Sequence, residues 1–118
     1  MYRLDSILKN AADQALPEAL EQLGRYYHIG KFMQVDVEKA IFFLKEASAV
    51  NNLKAQIRLA DIYKQGYGSP LDYPELYAQL HNSITDDKNT HKQIDRLLTG
   101  LADKMPENVV NAAKKGKY

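Results

Sequence analysis

Cysteine is absent from this 118-residue chain. No disulfide and no thiolate metal site can form. That composition fits a reducing compartment, and the expectation is a cytoplasmic protein. An excess of charge is lacking too: 16 basic residues meet 15 acidic ones, for a formal net charge of +1. A dedicated nucleic-acid surface needs a basic stripe. Lys114, Lys115 and Lys117 amount only to a solvated end. No apolar run approaches the roughly 20 residues of a membrane span. The opening Met1-Tyr2-Arg3-Leu4-Asp5 also lacks the apolar stretch of about 7–15 residues that marks a secretory leader. Neither a nucleic-acid nor a membrane partner is expected.

Catalytic signatures are missing as well. His28, His81 and His91 are the only histidines, and no pair has the i, i+4 spacing of a helix-borne metal site. No GxSxG elbow occurs, and Ser6, Ser48, Ser69 and Ser83 have no positional logic for nucleophilic chemistry. Gly66-Tyr67-Gly68 lacks the lysine and the preceding strand of a phosphate loop, so it reads as a turn. The Asp86-Asp87 pair reads as a solvated loop, since acid–base work needs two carboxylates facing a cleft. The expectation is no catalytic residue, no metal and no cofactor.

What the chain does have is a repeat. Ala19, Leu23, Tyr27, Gly30, Asp36 and Leu44 recur 36 residues on as Ala55, Leu59, Tyr63, Gly66, Asp72 and Leu80. Val35 and Leu71 keep the same offset. A period in this range with helical pattern means stacked helical repeats. The first helix is predicted to start at Pro17-Glu18, where proline and an acidic residue suit a first turn. It should bury the face carrying Ala19, Leu20, Leu23 and Tyr27 and end at a left-handed Gly30. Gly24, on that face, calls for close approach of a neighbouring helix. Asp36 is predicted to cap a helix over about 37–50, which breaks at Asn51-Asn52. The second copy repeats this: a helix over about 53–65, the Gly66 to Pro70 turn, then a helix capped by Asp72 with Glu75 completing a capping box. Residues 86–89 read as a loop. Leu4, Leu8 and Ala11 align with Ala40, Leu44 and Ala47, so a leading helix is expected over about 3–15. Ile94, Leu97, Leu98, Leu101 and Met105 form a helical stripe, and Pro106-Glu107 opens a last helix with Val109, Val110 and Ala113. The expected organisation is one all-α domain over 1–118. It comprises a leading cap at 3–15, repeats at 17–52 and 53–88, and closing cap helices at 89–118.

Ala19-x3-Leu23-Gly24-x2-Tyr27-x2-Gly30, then Asp36-x2-Lys39-Ala40 and Ala47, resembles the Sel1-like repeat, a relative of the tetratricopeptide repeat. Ala55-x3-Leu59-Ala60-x2-Tyr63-x2-Gly66-x-Gly68-x3-Asp72 is the second copy. Phe32 stands where the family places a second glycine, so that loop is expected to pack differently. Leu76 and Ser83 replace two small alanines of the second copy. The resemblance implies a short α-solenoid of two helix hairpins with terminal caps. It also implies a bacterial, non-catalytic binding role, as an adaptor in signalling, envelope complexes or host contact.

In such arrays the first helix of each repeat lines the concave face. Its non-core positions are Gln22, Arg25, Tyr26 and Ile29, with Arg58, Asp61, Ile62 and Gln65 as their counterparts. This strip is the expected contact surface for a protein or peptide. The arginines and Asp61 would supply charge-assisted hydrogen bonds and Tyr26 stacking area. Tyr67, Tyr73 and Tyr77 are further candidates for exposure, while Tyr27 and Tyr63 belong to the core. The alternatives are an inhibitor or immunity-type protein that blocks a toxin or enzyme, and a structural subunit of an assembly. The latter is favoured if Val109 and Val110 form an exposed apolar patch. Self-association as a homodimer is open to either.

Overall fold

The computed structural model describes residues 16–83 and 87–116. Among them the chain is all-helical, with no strand. Six α-helices follow in order: α1 (Pro17–Ile29), α2 (Val37–Ala49), α3 (Leu53–Lys64), α4 (Tyr73–His81), α5 (Lys88–Ala102) and α6 (Glu107–Lys114). A short 3-10 turn, Pro70–Asp72, precedes α4. The chain divides into two compact units, 1–59 and 60–118. The division falls within α3. The expected leading helix over 3–15 lies outside the described residues.

In the first unit α1 packs on α2. Leu20, Leu23 and Tyr27 are buried on α1, and Ala40, Leu44 and Ala47 on α2. Each fully buried leucine contributes about 1.5–3 kcal/mol. Small residues bring the two backbones together. A side-chain carbon on Gly24 would lie 2.6 Å from Leu44 Cγ and 3.2 Å from the Ala40 carbonyl oxygen. The close approach expected at that glycine is therefore real. Gly30 ends α1 at φ +77, and its N–H donates to the Tyr26 carbonyl at 2.8 Å. The Asp36 N–H donates back to the Tyr27 carbonyl, returning the chain for the next helix. Asp36 then caps α2, its Oδ1 accepting from Lys39 N–H at 3.1 Å.

Between α2 and α3 the joint is three residues. Asn51 stands at φ +67, and Asn52 Oδ1 accepts from the Ala55 N–H at 2.9 Å. One asparagine stops a helix and the other starts the next. Gln56, buried on α3, donates from Nε2 to the Ser48 carbonyl at 3.3 Å.

The second unit packs α4 against α5 and α6. Its core gathers Tyr63, Tyr73, Leu76, Tyr77, Leu80, Ile94, Leu97, Leu101, Val110 and Ala113. Tyr73 and Tyr77, expected at the surface, are buried. Tyr73 packs its ring 4.9 Å from that of Tyr63 and donates its hydroxyl to the Tyr67 carbonyl at 3.3 Å. The phenol tip thus reaches a partner while the ring fills the core.

Entry into α4 also differs from expectation. Asp72 makes no side-chain capping bond. It already has helical angles, φ −89 and ψ −13, whereas a capping aspartate needs extended backbone. Pro74 moreover has no N–H to offer. Capping has moved upstream, where Ser69 Oγ accepts from the Leu71 N–H at the start of the 3-10 turn. Helix α5 begins at Lys88, inside the segment read as loop, because Asp87 caps it. The Asp87 carboxylate accepts from Asn89 N–H at 3.1 Å and from Thr90 Oγ1 at 2.6 Å. Those bonds hold Asp87 below the usual carboxylate range, the Thr90 hydroxyl first.

Candidate protein-binding site

The candidate site sits in the first unit, where one face of α1 meets the N-terminal part of α3. Glu21, Arg25 and His28 fall at i, i+4 and i+7, so they share that face. Arg58 comes to them from α3. Its Nε lies 3.9 Å from Glu21 Oε2, and its Nη1 lies 3.4 Å from His28 Nδ1. Arginine has no acceptor, so Nδ1 of His28 takes the hydrogen in this contact. Glu21 is nearly buried, its side chain 11% exposed against 30% for Arg58. At 3.9 Å the pair is a coulombic contact rather than a hydrogen bond. Consistent with that length, the buried Nε atoms of both Arg25 and Arg58 have no hydrogen-bond partner.

Aromatic residues flank this cluster. The Arg25 guanidinium carbon lies 5.2 Å from the Tyr26 ring centroid. Phe32 meets Tyr26 edge-on at 5.4 Å. Lys31 Nζ lies 5.3 Å from the Phe32 ring and 6.0 Å from Tyr26. Phe32 holds φ +67, a left-handed angle uncommon for a bulky side chain. At this angle the Phe32 ring lies against Tyr26.

Of the expected strip, Gln22 and Ile29 are exposed and Arg25, Tyr26 and Arg58 are half-buried. Asp61 and Gln65 are exposed residues of the second unit, with Gln65 just past the end of α3. Ile62 is corrected: it is fully buried with Leu59, Ala60 and Tyr63. Its i+3 spacing from Leu59 puts it on the apolar face, and its aliphatic character already argued for that. Glu21 was not among the expected residues, and its contact with Arg58 joins positions far apart in the chain. The sequence reading assigned His28 no contact with Arg58.

A second exposed feature is the shallow groove lined by Asp36, Glu38, Lys39, Phe42 and Phe43. Phe42 is 58% exposed, and Phe43 stacks on Tyr27 at 5.9 Å. Leu71, at the 36-residue equivalent of the exposed Val35, is 90% exposed. The apolar end patch sought on α6 does not form, since Val110 is buried and Val109 half-buried. Among the described residues no three His, Asp or Glu side chains converge as a metal-ligand set. No described helix is long and apolar enough to cross a membrane.

No protein-family model matches the sequence. No solved structure matches it either. Over 108 residues, 92% of the chain, it is 50% identical to the sodium-type polar flagellar protein MotX of Vibrio parahaemolyticus. The chain spans about half of that relative's length, 51%. This similarity overturns three expectations. The generic adaptor and the toxin or enzyme inhibitor both give way, because the relative is a flagellar protein. The cytoplasmic assignment gives way with them. It rested on missing cysteines and missing apolar runs, which are compatible with other compartments. The 36-residue sequence pattern pointed to helices and carried no information on the system they serve. A bacterial setting fits the relative.

Proposed function

We propose that this chain is a non-catalytic component of a sodium-type polar flagellum, acting by binding other protein components. The observation that carries this reading is the 50% identity to MotX over 92% of the chain. The contact surface we assign is the α1 and α3 strip of the first unit: Gln22, Arg25, Tyr26, Ile29 and Arg58. Exposed Asp61 and Gln65 belong to the second unit's own surface. Half-buried arginine and tyrosine are the residue types that dominate protein interfaces.

The fold part of the proposal is that the two 36-residue segments are Sel1-like hairpins of a short α-solenoid. Left-handed Gly30 and Gly66, at φ +77 and φ +99, support it. So do the buried pairs Leu23 with Leu59, Tyr27 with Tyr63 and Leu44 with Leu80, each one period apart.

The test is deletion of the gene in the source bacterium, with swimming speed tracked against sodium concentration and a tagged copy followed in the cell. Lost sodium-dependent swimming and a focus at the flagellated pole are the expected results. Normal swimming with diffuse signal would sink the proposal.

A further inference from the structure

We propose that Arg25 and Arg58 form a carboxylate-binding site that takes an acidic side chain from a protein partner. The inference rests on the protein-binding part of the function proposed above and names the chemistry of the partner.

Among the described residues, two guanidiniums, both permanently ionised, share this site with one carboxylate, Glu21. His28 contributes no negative charge. The cluster therefore holds one positive charge more than it neutralises. Glu21 does not close on either arginine: its contact with Arg58 is 3.9 Å, and the buried Nε atoms of Arg25 and Arg58 go without an acceptor. Leaving guanidinium groups partly desolvated and uncompensated is costly unless something else supplies the counter-charge.

Geometry then says where that counter-charge fits. Arg58 touches Glu21 and His28, which flank Arg25 four residues before and three residues after on α1. Arg58 therefore lies over the stretch of α1 that carries Arg25. Their Nε edges are covered, and Arg58 keeps 30% of its side chain exposed. Arg58 Nη1 is taken by His28, so its Nη2 and the Nη groups of Arg25 are the part a ligand reaches. A carboxylate matches the planar fork of these ends, and one carboxylate cancels the excess of one charge. Exposed Ile29, 52% open, and half-buried Tyr26 beside the fork suit a peptide segment rather than a free ion.

The experiment is fluorescence anisotropy of the full chain with a labelled tetraglutamate peptide, both ends blocked, and with its tetraglutamine twin. The glutamate peptide is expected to bind and the glutamine peptide is not. Arg25→Gln should weaken binding by about tenfold or more, the size of a lost charge-assisted bond. Arg58→Lys keeps the charge but loses the fork, and should weaken binding several-fold. Glu21→Gln removes the resident competitor and should tighten it. Circular dichroism melts establish that each variant is folded, and Arg25→Gln leaves the Arg58–Glu21 pair intact, so it stays informative if Arg58→Lys unfolds. Equal binding of the two peptides, or unchanged binding by folded Arg25→Gln, would overturn the site. Displacement of the peptide by equimolar inorganic phosphate would overturn the carboxylate assignment. If swimming fails on gene deletion but the peptides do not bind, this inference falls alone. If the peptides bind but the deletion strain swims normally, the flagellar reading falls and this site stands.

Discussion

Tyr63→Phe deletes a single hydroxyl from the core of the second unit. The Tyr63 side chain is fully buried, and its hydroxyl has no hydrogen-bond partner. A buried polar group left unpaired costs about 1–3 kcal/mol, and its removal recovers much of that. The ring and its 4.9 Å contact with Tyr73 are kept, so little packing is lost. We expect the variant to be more stable by about 1 kcal/mol, with a Tm higher by roughly 3–5 °C for a chain of this size. Urea denaturation of both proteins measures it, as a higher midpoint with an unchanged slope. Alkaline pH supplies a second readout. Burial, and then the charges of Asp72, Tyr73 and Glu75, push the Tyr63 phenol well above its ordinary value of 10.0. Below pH 10 neither the folded nor the unfolded chain ionises there, and stability is flat. Above about pH 10 the unfolded chain loses the proton while the folded one keeps it, so stability falls as pH rises. Phenylalanine removes that part of the decline. Tyr77, raised by burial, keeps a share of it. A loss of 1 kcal/mol or more in the variant would refute the reasoning, because it would mean the hydroxyl has an acceptor.

Three further outcomes follow from the helix joints and contacts. Gly24→Ala should destabilise by about 1–2 kcal/mol in urea titrations, since overpacking against Leu44 exceeds alanine's gain in helix propensity. Gly30→Val should cost more than about 1 kcal/mol by the same assay. Its φ is +77, and the new carbon would lie 2.8 Å from Val35 Cγ2. Asp36→Ala should cost about 1 kcal/mol for the lost cap. An unchanged thermal midpoint would contradict the assignment of that cap.

Much of the fold was legible because it is written in local signals. Pro17, Gly30 and Asp36 mark helix ends through backbone geometry that depends on few neighbours, and the structure places them there. Asp72 misled because the same letter sits in a different local frame, behind a 3-10 turn and ahead of Pro74. Tyr73 and Tyr77 were not legible as core: tyrosine is apolar in body and polar at the tip, so burial depends on whether a partner such as the Tyr67 carbonyl lies within reach. The site was half legible. Arg25 and Arg58 follow from the repeat register, but the contacts of Glu21 and His28 are made with an arginine 30 or more residues away. Ile62 shows the opposite error, a repeat-equivalent position assigned to the surface against its own chemistry.

The three-residue joint at 50–52 bears on how this chain tolerates changes of length. Each inserted or deleted residue there would change the direction and phase at which α3 leaves α2. Gln56 would lose the Ser48 carbonyl, and Arg58 would swing away from Glu21 and His28. Insertions and deletions should be excluded from this joint. The segment 65–69 is exposed at every residue, and its ties to the next helix are the Tyr67 carbonyl on the Tyr73 hydroxyl and Ser69 Oγ on the Leu71 N–H. A tag or loop graft placed there should keep Tyr67 and Ser69 if the helices are to be left undisturbed.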